Sequence, residues 1–472
     1  MPPPHSHDRT ALLLRDAELD GATRADVRIA QGRVVEIGPA LPRQTGEEEI
    51  RCDGGAVLPG LADHHLHLHA LAARQASIVC GPPEVTSASG LAAALAAAVP
   101  DEHGWVRGVG YIETVAGDLD AEALDRLGPR GPVRVQHRSG AMWMLNSAAM
   151  AATGLSTADH PGVERGDDGR PTGRLWRADD WLRDRLPPAR PPDLSQAGAE
   201  LAGLGVTSVT DATPDLAPGA IAAIAEAARN GALLQRVRLL GVPLDTMPPE
   251  PLGVGPYKIV IADSGLPDLD ELTERIRRAH AVGRPVAAHC VTREALIVFL
   301  AALEDAGPLD GDRVEHAALV PAELVPELAR RRLRVVTQPG FLTDRGDDFL
   351  RGLPAADHAD LYRCASLATA GVPVALSSDA PYGPIDPWAV IAAAAERRVP
   401  GGRVAGPEER ISPRRALDAY LAPTADPGGP PRRVRPGVAA DLTVLHLPLA
   451  EALRAPCSRL VRTVFIDGEP VA

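Results

Sequence analysis

From residue 58 to residue 376, eight short apolar runs alternate with alanine- and leucine-rich stretches of helical character. The runs are Leu58–His65, Thr207–Val209, Val237–Val242, Tyr257–Ile261, Pro285–His289, Arg313–His316, Arg334–Thr337 and Val372–Leu376. Leu269–Val282 and Arg293–Ala306 are two of the helical stretches between them. Strand and helix in alternation imply a parallel sheet, because a crossover helix is what returns the chain to lay strands side by side in one direction. Eight such units is the number that closes a (β/α)8 TIM-type barrel.

Both ends of the chain read differently. Ala11–Leu14, Ala25–Ile29, Arg33–Ile37, Glu49–Cys52 and Ala56–Leu58 are β-like runs separated by turns. Asp441–Leu445 and Leu460–Ile466 return to that style, with Asp467-Gly468 as a hairpin turn. These segments predict a small β-sandwich built from both termini, residues 1–57 plus 422–472, beside a barrel over 58–421. An insert from about residue 80 to 203 follows the first barrel strand and is too long for a simple crossover. It is expected to form a subdomain over the barrel mouth.

Composition removes several partners. A net charge of −13 with no basic cluster excludes nucleic acid. The apolar stretches are far shorter than a membrane span. The amino-terminal Met-Pro-Pro-Pro-His stretch lacks the basic start and apolar segment of a secretory signal. Five scattered cysteines, an odd number, argue against a disulfide framework and for a cytoplasmic setting. A small-molecule substrate is the expected partner; assembly into a homo-oligomer is left open.

The chain carries 48 arginines and one lysine, Lys258, within Gly-Pro-Tyr-Lys-Ile-Val-Ile. In isolation a chance survivor of an arginine-rich composition would look the same. A buried lysine, unlike arginine, can shed its proton and act as a nucleophile. With carbon dioxide it forms a carbamate, whose two oxygens can bridge two cations.

Candidate ligands surround it in the sequence. Along Leu58–His69, strand alternation would set Asp63, His65, His67 and His69 on one side and His64 on the other. Two imidazoles two residues apart on one face can reach a single cation, although a histidine-rich stretch can also bind metal adventitiously. His289, His316 and Asp379 each follow an apolar run, where the functional groups of such barrels gather. Lys258 stands near the start of its run instead.

Several motifs extend this pattern along the chain: Arg28-Ile-Ala-Gln-Gly-Arg-Val-Val-Glu-Ile-Gly38, Pro59-Gly-Leu-Ala-Asp-His-His-Leu-His67, Trp105-Val-Arg-Gly-Val-Gly-Tyr111 and Asn146-Ser-Ala-Ala-Met150. They continue with Tyr257-Lys-Ile259, Ala288-His-Cys290, Arg313-Val-Glu-His316, Ser377-Ser-Asp-Ala-Pro381 and Arg435-Pro-Gly-Val-Ala-Ala-Asp-Leu442. Over nearly its full length the chain resembles the amidohydrolase superfamily, most of all the branch called amidohydrolase family 3, which includes N-substituted formamide deformylases. The resemblance implies a metal-bearing barrel. His65, His67 and Asp379 would hold the more buried of two divalent cations, expected to be zinc. His289 and His316 would hold the second, and a carbamate on Lys258 would bridge them. A metal-activated hydroxide would attack the scissile carbonyl, with Asp379 as the catalytic group that takes its proton and passes it to the departing amine.

The chain also departs from the pattern. Ser139-Gly-Ala141 stands where the branch often has Ser-Gly-His, so Arg138 and Trp143 are candidates to contact substrate, or else to support the insert. Asp263-Ser-Gly265 replaces a common Asp-Gly after the lysine run. Tyr382 and His69 are further candidate substrate contacts, whereas Cys290 is expected to face away from the site. The expected activity is hydrolysis of a non-peptide C–N bond, in an amide, formamide or N-acyl amine. A mononuclear deaminase of an amino-heterocycle is the alternative, disfavoured because such relatives usually lack the lysine. A non-catalytic scaffold would have lost ligands that this chain retains.

Overall fold

The computed structural model describes residues 11–188, 191–262 and 265–472. The amino-terminal stretch 1–10, residues 189 and 190, and the departure at Asp263 and Ser264 lie outside the described residues. The chain forms two compact units, Met1–Leu68 with Asp193–Ala472, and His69–Pro192. The second unit starts before residue 80 and stops before 203 for local reasons. Helix Leu68–Gln75 begins directly after the first parallel strand, and helix Ser195–Gly203 packs on strand Val206–Asp211 of the first unit.

The first unit holds two parallel sheets. One runs Gly253–Val254, Arg236–Leu239, Val206–Asp211, Leu61–Leu66; the other runs Tyr257–Val260, Val286–Cys290, Arg313–His316, Arg334–Thr337, Val374–Leu376. The two-residue strand Gly253–Val254 occupies the edge of Arg236–Leu239 and interrupts the ladder there. Lys258 N–H nevertheless donates to Leu240 C=O at 3.2 Å across that seam. At the other seam Asp379 N–H donates to His65 C=O and His67 N–H to Ala380 C=O, both at 2.8 Å. Eight parallel strands therefore neighbour one another in chain order.

Helices form where caps and apolar spacing coincide. Asp268 accepts the N–H groups of Asp270 and Glu271 to start Leu269–Ala281, and Thr292 accepts that of Ala295 to start Arg293–Ala306. Their apolar faces, including Leu272, Ile276, Leu296, Phe299 and Leu303, bury against Ile259, Val286, Ala288, Cys290 and Val314. Each large side chain so buried contributes about 1.5–3 kcal/mol before the entropy of ordering is subtracted. Cys290 thus faces the helices, as its strand position requires. Ala287 instead packs with Ala212 and Leu240. Alternation on one strand therefore separates a helix-facing side from the side that carries His289.

The terminal segments join in one hydrogen-bonded network of eight strands. The reason lies in Leu12–Leu19, whose pairing register shifts after Leu14 near Asp16, at φ 53°. It pairs with Glu48–Arg51 along its first half and with Ala56–Pro59 along its second. Leu12, Leu14, Val27, Val57, Val444 and Phe465 then share a single core. The second unit has its own six-stranded sheet and cores. Among the described residues no cysteine is disulfide-bonded, and no helix is long and apolar enough to cross a membrane.

The run expected as one strand over 58–65 is two. Ala56–Pro59 belongs to the terminal sheet, and Leu61–Leu66 to the parallel one. Gly60 is the joint: its N–H donates to Asp441 C=O at 2.8 Å, and a Cβ there would lie 2.1 Å from a methyl carbon of buried Thr207. Thr207 is stiff at χ1 and cannot swing clear. Gly60→Ala should lower the unfolding free energy by about 1–3 kcal/mol, through overpacking. Urea unfolding checks this, and unchanged stability would remove Gly60 from its role.

Candidate metal centre

His65 closes the Leu61–Leu66 strand region and is fully buried. Its Nδ1 meets Glu315 Oε2. A carboxylate only accepts, so Nδ1 carries the proton and Nε2 keeps its lone pair. Nε2 lies 3.4 Å from Asp379 Oδ1, and His67 Nε2 lies 3.2 Å from the same oxygen. His67 is held on its far side by Thr213 Oγ1, 3.1 Å from Nδ1. Ligand atoms of His65, His67 and Asp379 all lie within 4.8 Å of one another, close enough to hold one metal ion.

His316 follows the same plan. Gln338 donates its Nε2 hydrogen to Ser377 Oγ at 2.9 Å, which turns Oε1 toward His316 Nδ1 at 3.0 Å and leaves Nε2 free of that bond. The His316 ring stands 4.7 Å from that of His65 and 4.4 Å from that of His289. Its Nδ1 lies 3.8 Å from Asp379 Oδ2. Burial drives the His65 and His316 imidazoles well below their usual pKa, and the positive field of Lys258 adds to the effect. Both are therefore neutral at pH 7, the form that coordinates a cation.

Backbone strain makes part of this geometry. His316 has φ 69° and Asp379 φ 55°, left-handed values that are uncommon outside glycine. Simple alternation would group His316 with Val314, which packs under the helices. The left-handed turn brings it to Asp379 instead. Such strain is typical of functional positions.

Lys258 is 2% exposed, and its Nζ has no hydrogen-bond partner among the described residues. His65 Nε2 and Asp379 Oδ1 are likewise buried without one. Burial lowers the Lys258 pKa, while the carboxylates of Glu315 and Asp379 oppose the shift. Three buried polar atoms on neighbouring ligand-type residues, none with a hydrogen-bond partner among the described residues, suit a cationic group and a lysine carbamate.

The other candidates fall as follows. Tyr382 sets its ring 5.5 Å from that of His67. The alternation drawn through His69 stops at Leu66, because Asp211 Oδ2 accepts the Leu68 N–H at 2.8 Å and a helix starts there, so His69 lies on Leu68–Gln75 in the second unit. Trp143 is buried in that unit's core, with its ring N–H on Asp179 at 2.8 Å and the Arg107 and Arg134 guanidiniums over its face. Arg138 lies in the turn between strands Val133–His137 and Met142–Leu145 of the same unit. His64 packs against helix Pro413–Leu421, and burial lowers its pKa to about 3. Sequence reasoning missed Glu315, Thr213 and Gln338, which hold the histidines by Nδ1. Only Glu315 left a trace, as the neighbour of His316 in a quoted motif.

The amidohydrolase family model matches residues 48–472. YtcJ of Bacillus subtilis (strain 168), named as an amidohydrolase, is 26% identical over 402 residues, 74% of this chain and 75% of its own. The N-substituted formamide deformylase of Arthrobacter pascens is 25% identical over 514 aligned positions, 94% of each chain. An uncharacterized metal-dependent hydrolase from Pyrococcus horikoshii superposes with a TM-score of 0.75 at 19% identity, over 98% of this chain and 99% of that one. The family and the structural likeness imply a TIM barrel with a small domain. With a His-His-Asp group spaced to hold one metal ion, this chain is a member of the amidohydrolase family.

Proposed function

We propose that this protein hydrolyses a non-peptide C–N bond of a small molecule, an amide, formamide or N-acyl amine, with two divalent cations bridged by a carbamate on Lys258. The observation that carries the proposal is the set of three buried atoms without a hydrogen-bond partner among the described residues: His65 Nε2, Lys258 Nζ and Asp379 Oδ1. His65, His67 and Asp379 would hold one cation, His289 and His316 the second. Bound there, zinc-like cations supply Lewis acidity, lowering the pKa of water and polarising a carbonyl.

The residues do the rest. Glu315, Thr213 and Gln338 fix the imidazoles of His65, His67 and His316 by Nδ1, so that Nε2 of each is aimed before any ligand arrives. Asp379 turns Oδ1 toward His65 and His67 and Oδ2 toward His316, and Oδ2 would take the proton of the attacking water. From Oδ2 the proton passes to the leaving amine, which otherwise departs as an unstable anion. Tyr382, beside His67, is placed to line the substrate's approach. The relative from Arthrobacter pascens is named for deformylation of N-substituted formamides, which supports that bond type. A mononuclear deaminase would leave the Lys258 amine buried without a purpose.

Two substitutions test this reading. Thr213→Val removes the hydroxyl on His67 without stranding a charge and should weaken divalent-cation affinity by about 10–100-fold. Titration with zinc in a competing chelator measures it, and unchanged affinity would refute the positioning role. Lys258→Arg keeps the charge but cannot form a carbamate. Across a panel of formamides, N-acyl amino acids and cyclic amides it should lower turnover by about 100-fold or more with an unaltered circular dichroism spectrum. Turnover near that of the unsubstituted protein would sink the carbamate mechanism.

A further inference from the structure

The first unit contains a cavity of about 430 Å³ away from the metal centre. Its lining comes from the amino-terminal ends of the parallel strands. Arg313 and Arg334 open their strands, Gly255 and Pro256 precede Tyr257–Val260, and Arg284 precedes Val286–Cys290. His65, His289, His316 and Asp379 sit at or beyond the carboxy-terminal ends. In a set of parallel strands those are opposite ends.

Four arginines, Arg238, Arg284, Arg313 and Arg334, line the cavity, against one acid, Asp310. Asp310 is already 3.6 Å from Arg332. Arg334 pairs with Asp426, and Arg313 donates its Nε hydrogen to Glu315. Both terminal nitrogens of Arg313, which is 1% exposed, have no hydrogen-bond partner among the described residues. Nor does Nε of Arg238, whose Nη1 donates to Val254 C=O. Arg284 donates to the carbonyls of Leu240, Val242 and Gly255. Among the described residues neither Arg238 nor Arg284 is paired with a carboxylate.

Two charges in excess of their partners, at a partly enclosed site, are costly. Water can satisfy the orphaned N–H groups but not the charge. An oxyanion does both, and the guanidinium fork matches carboxylate and phosphate geometry. Burial and the charge of Arg313 each lower the Arg238 pKa, so an anion there would relieve both. Apart from Thr246 and Thr424 the remaining lining is largely apolar, with Leu244 half-buried and Met247 exposed at 77%. The volume falls within the range of small-ligand pockets, about 300–1,000 Å³.

We infer that this cavity is a second ligand site, for a small oxyanion carried on a short apolar body and held by Arg238 and Arg313. The inference does not rest on the reaction proposed at the metal centre. Arg313 also ties, through Glu315, to His65, so its replacement would disturb the metal centre as well. Arg238 is the cleaner position to change.

Isothermal titration of the metal-loaded protein at constant ionic strength, with inorganic phosphate and with butyrate, tests the site. Saturable binding of either probe is expected in the unsubstituted protein and in Asp379→Asn. Arg238→Met should weaken it about tenfold or more. Leu244→Trp, which fills the apolar side, should do the same and serves if Arg238→Met fails to fold. Binding of phosphate alone or butyrate alone assigns the headgroup. The inference falls if neither probe saturates below about 10 mM. It falls equally if binding survives Arg238→Met and Leu244→Trp but is lost in Asp379→Asn, which would place the anion at the metal centre.

Discussion

The seam between the first and last parallel strands is the constraint on which the metal centre rests. Asp63 accepts the His65 N–H at 3.0 Å and the Ser378 N–H at 3.2–3.3 Å with one buried carboxyl group. Asp379 N–H to His65 C=O and His67 N–H to Ala380 C=O complete the join. Two ligands come from one side of this seam and the third from the other, although His67 and Asp379 are 312 positions apart in the numbering. Burial raises the Asp63 pKa to about 7, against the hydrogen bonds that lower it. The cost of enclosing this carboxyl is offset by the N–H groups it satisfies, which otherwise would lie buried and unpaired.

From that join outward, His65, His67 and His316 are each oriented by a partner on another strand or loop. Glu315 reaches His65 from a different strand, and Thr213 reaches His67 from the loop after Val206–Asp211. Asp211 secures that loop by accepting the Thr213 N–H at 3.0 Å, while its other oxygen starts the helix after His67. Preorganisation of this kind means that little ordering remains when a cation binds.

The parallel strand order and the terminal origin of the small sheet were legible because period and composition carry them, and the histidine alternation pointed to His65 and His67 of the His-His-Asp group. Val286–Cys290 alternates helix-facing and site-facing residues as a parallel strand must. What escaped had no local signal. His316 reaches Asp379 through a left-handed backbone that no residue type announces, and Thr213 and Gln338 act through tertiary contacts alone. The strand reading through His69 failed because Asp211, distant in sequence, starts a helix at Leu68. The strand reading through Gly60 failed because close packing on Thr207 divides the run between two sheets. Trp143 shows the reverse problem: an aromatic near a motif that the second unit uses to pack between cations.

Lys258 concentrates the functional question. A lone amine held at 2% exposure, without a hydrogen-bond partner among the described residues, is a poor structural choice in a chain that otherwise uses arginine. A carbamate removes the positive charge and supplies oxygens for two cations. The most direct measurement is elemental analysis of metal per chain, on protein prepared without chelator and with bicarbonate present. Close to two ions per chain, falling to one or fewer in Lys258→Ala, is the predicted result. Close to one ion, unchanged by that substitution, would contradict the bridged pair and make Lys258 a structural or substrate-binding group.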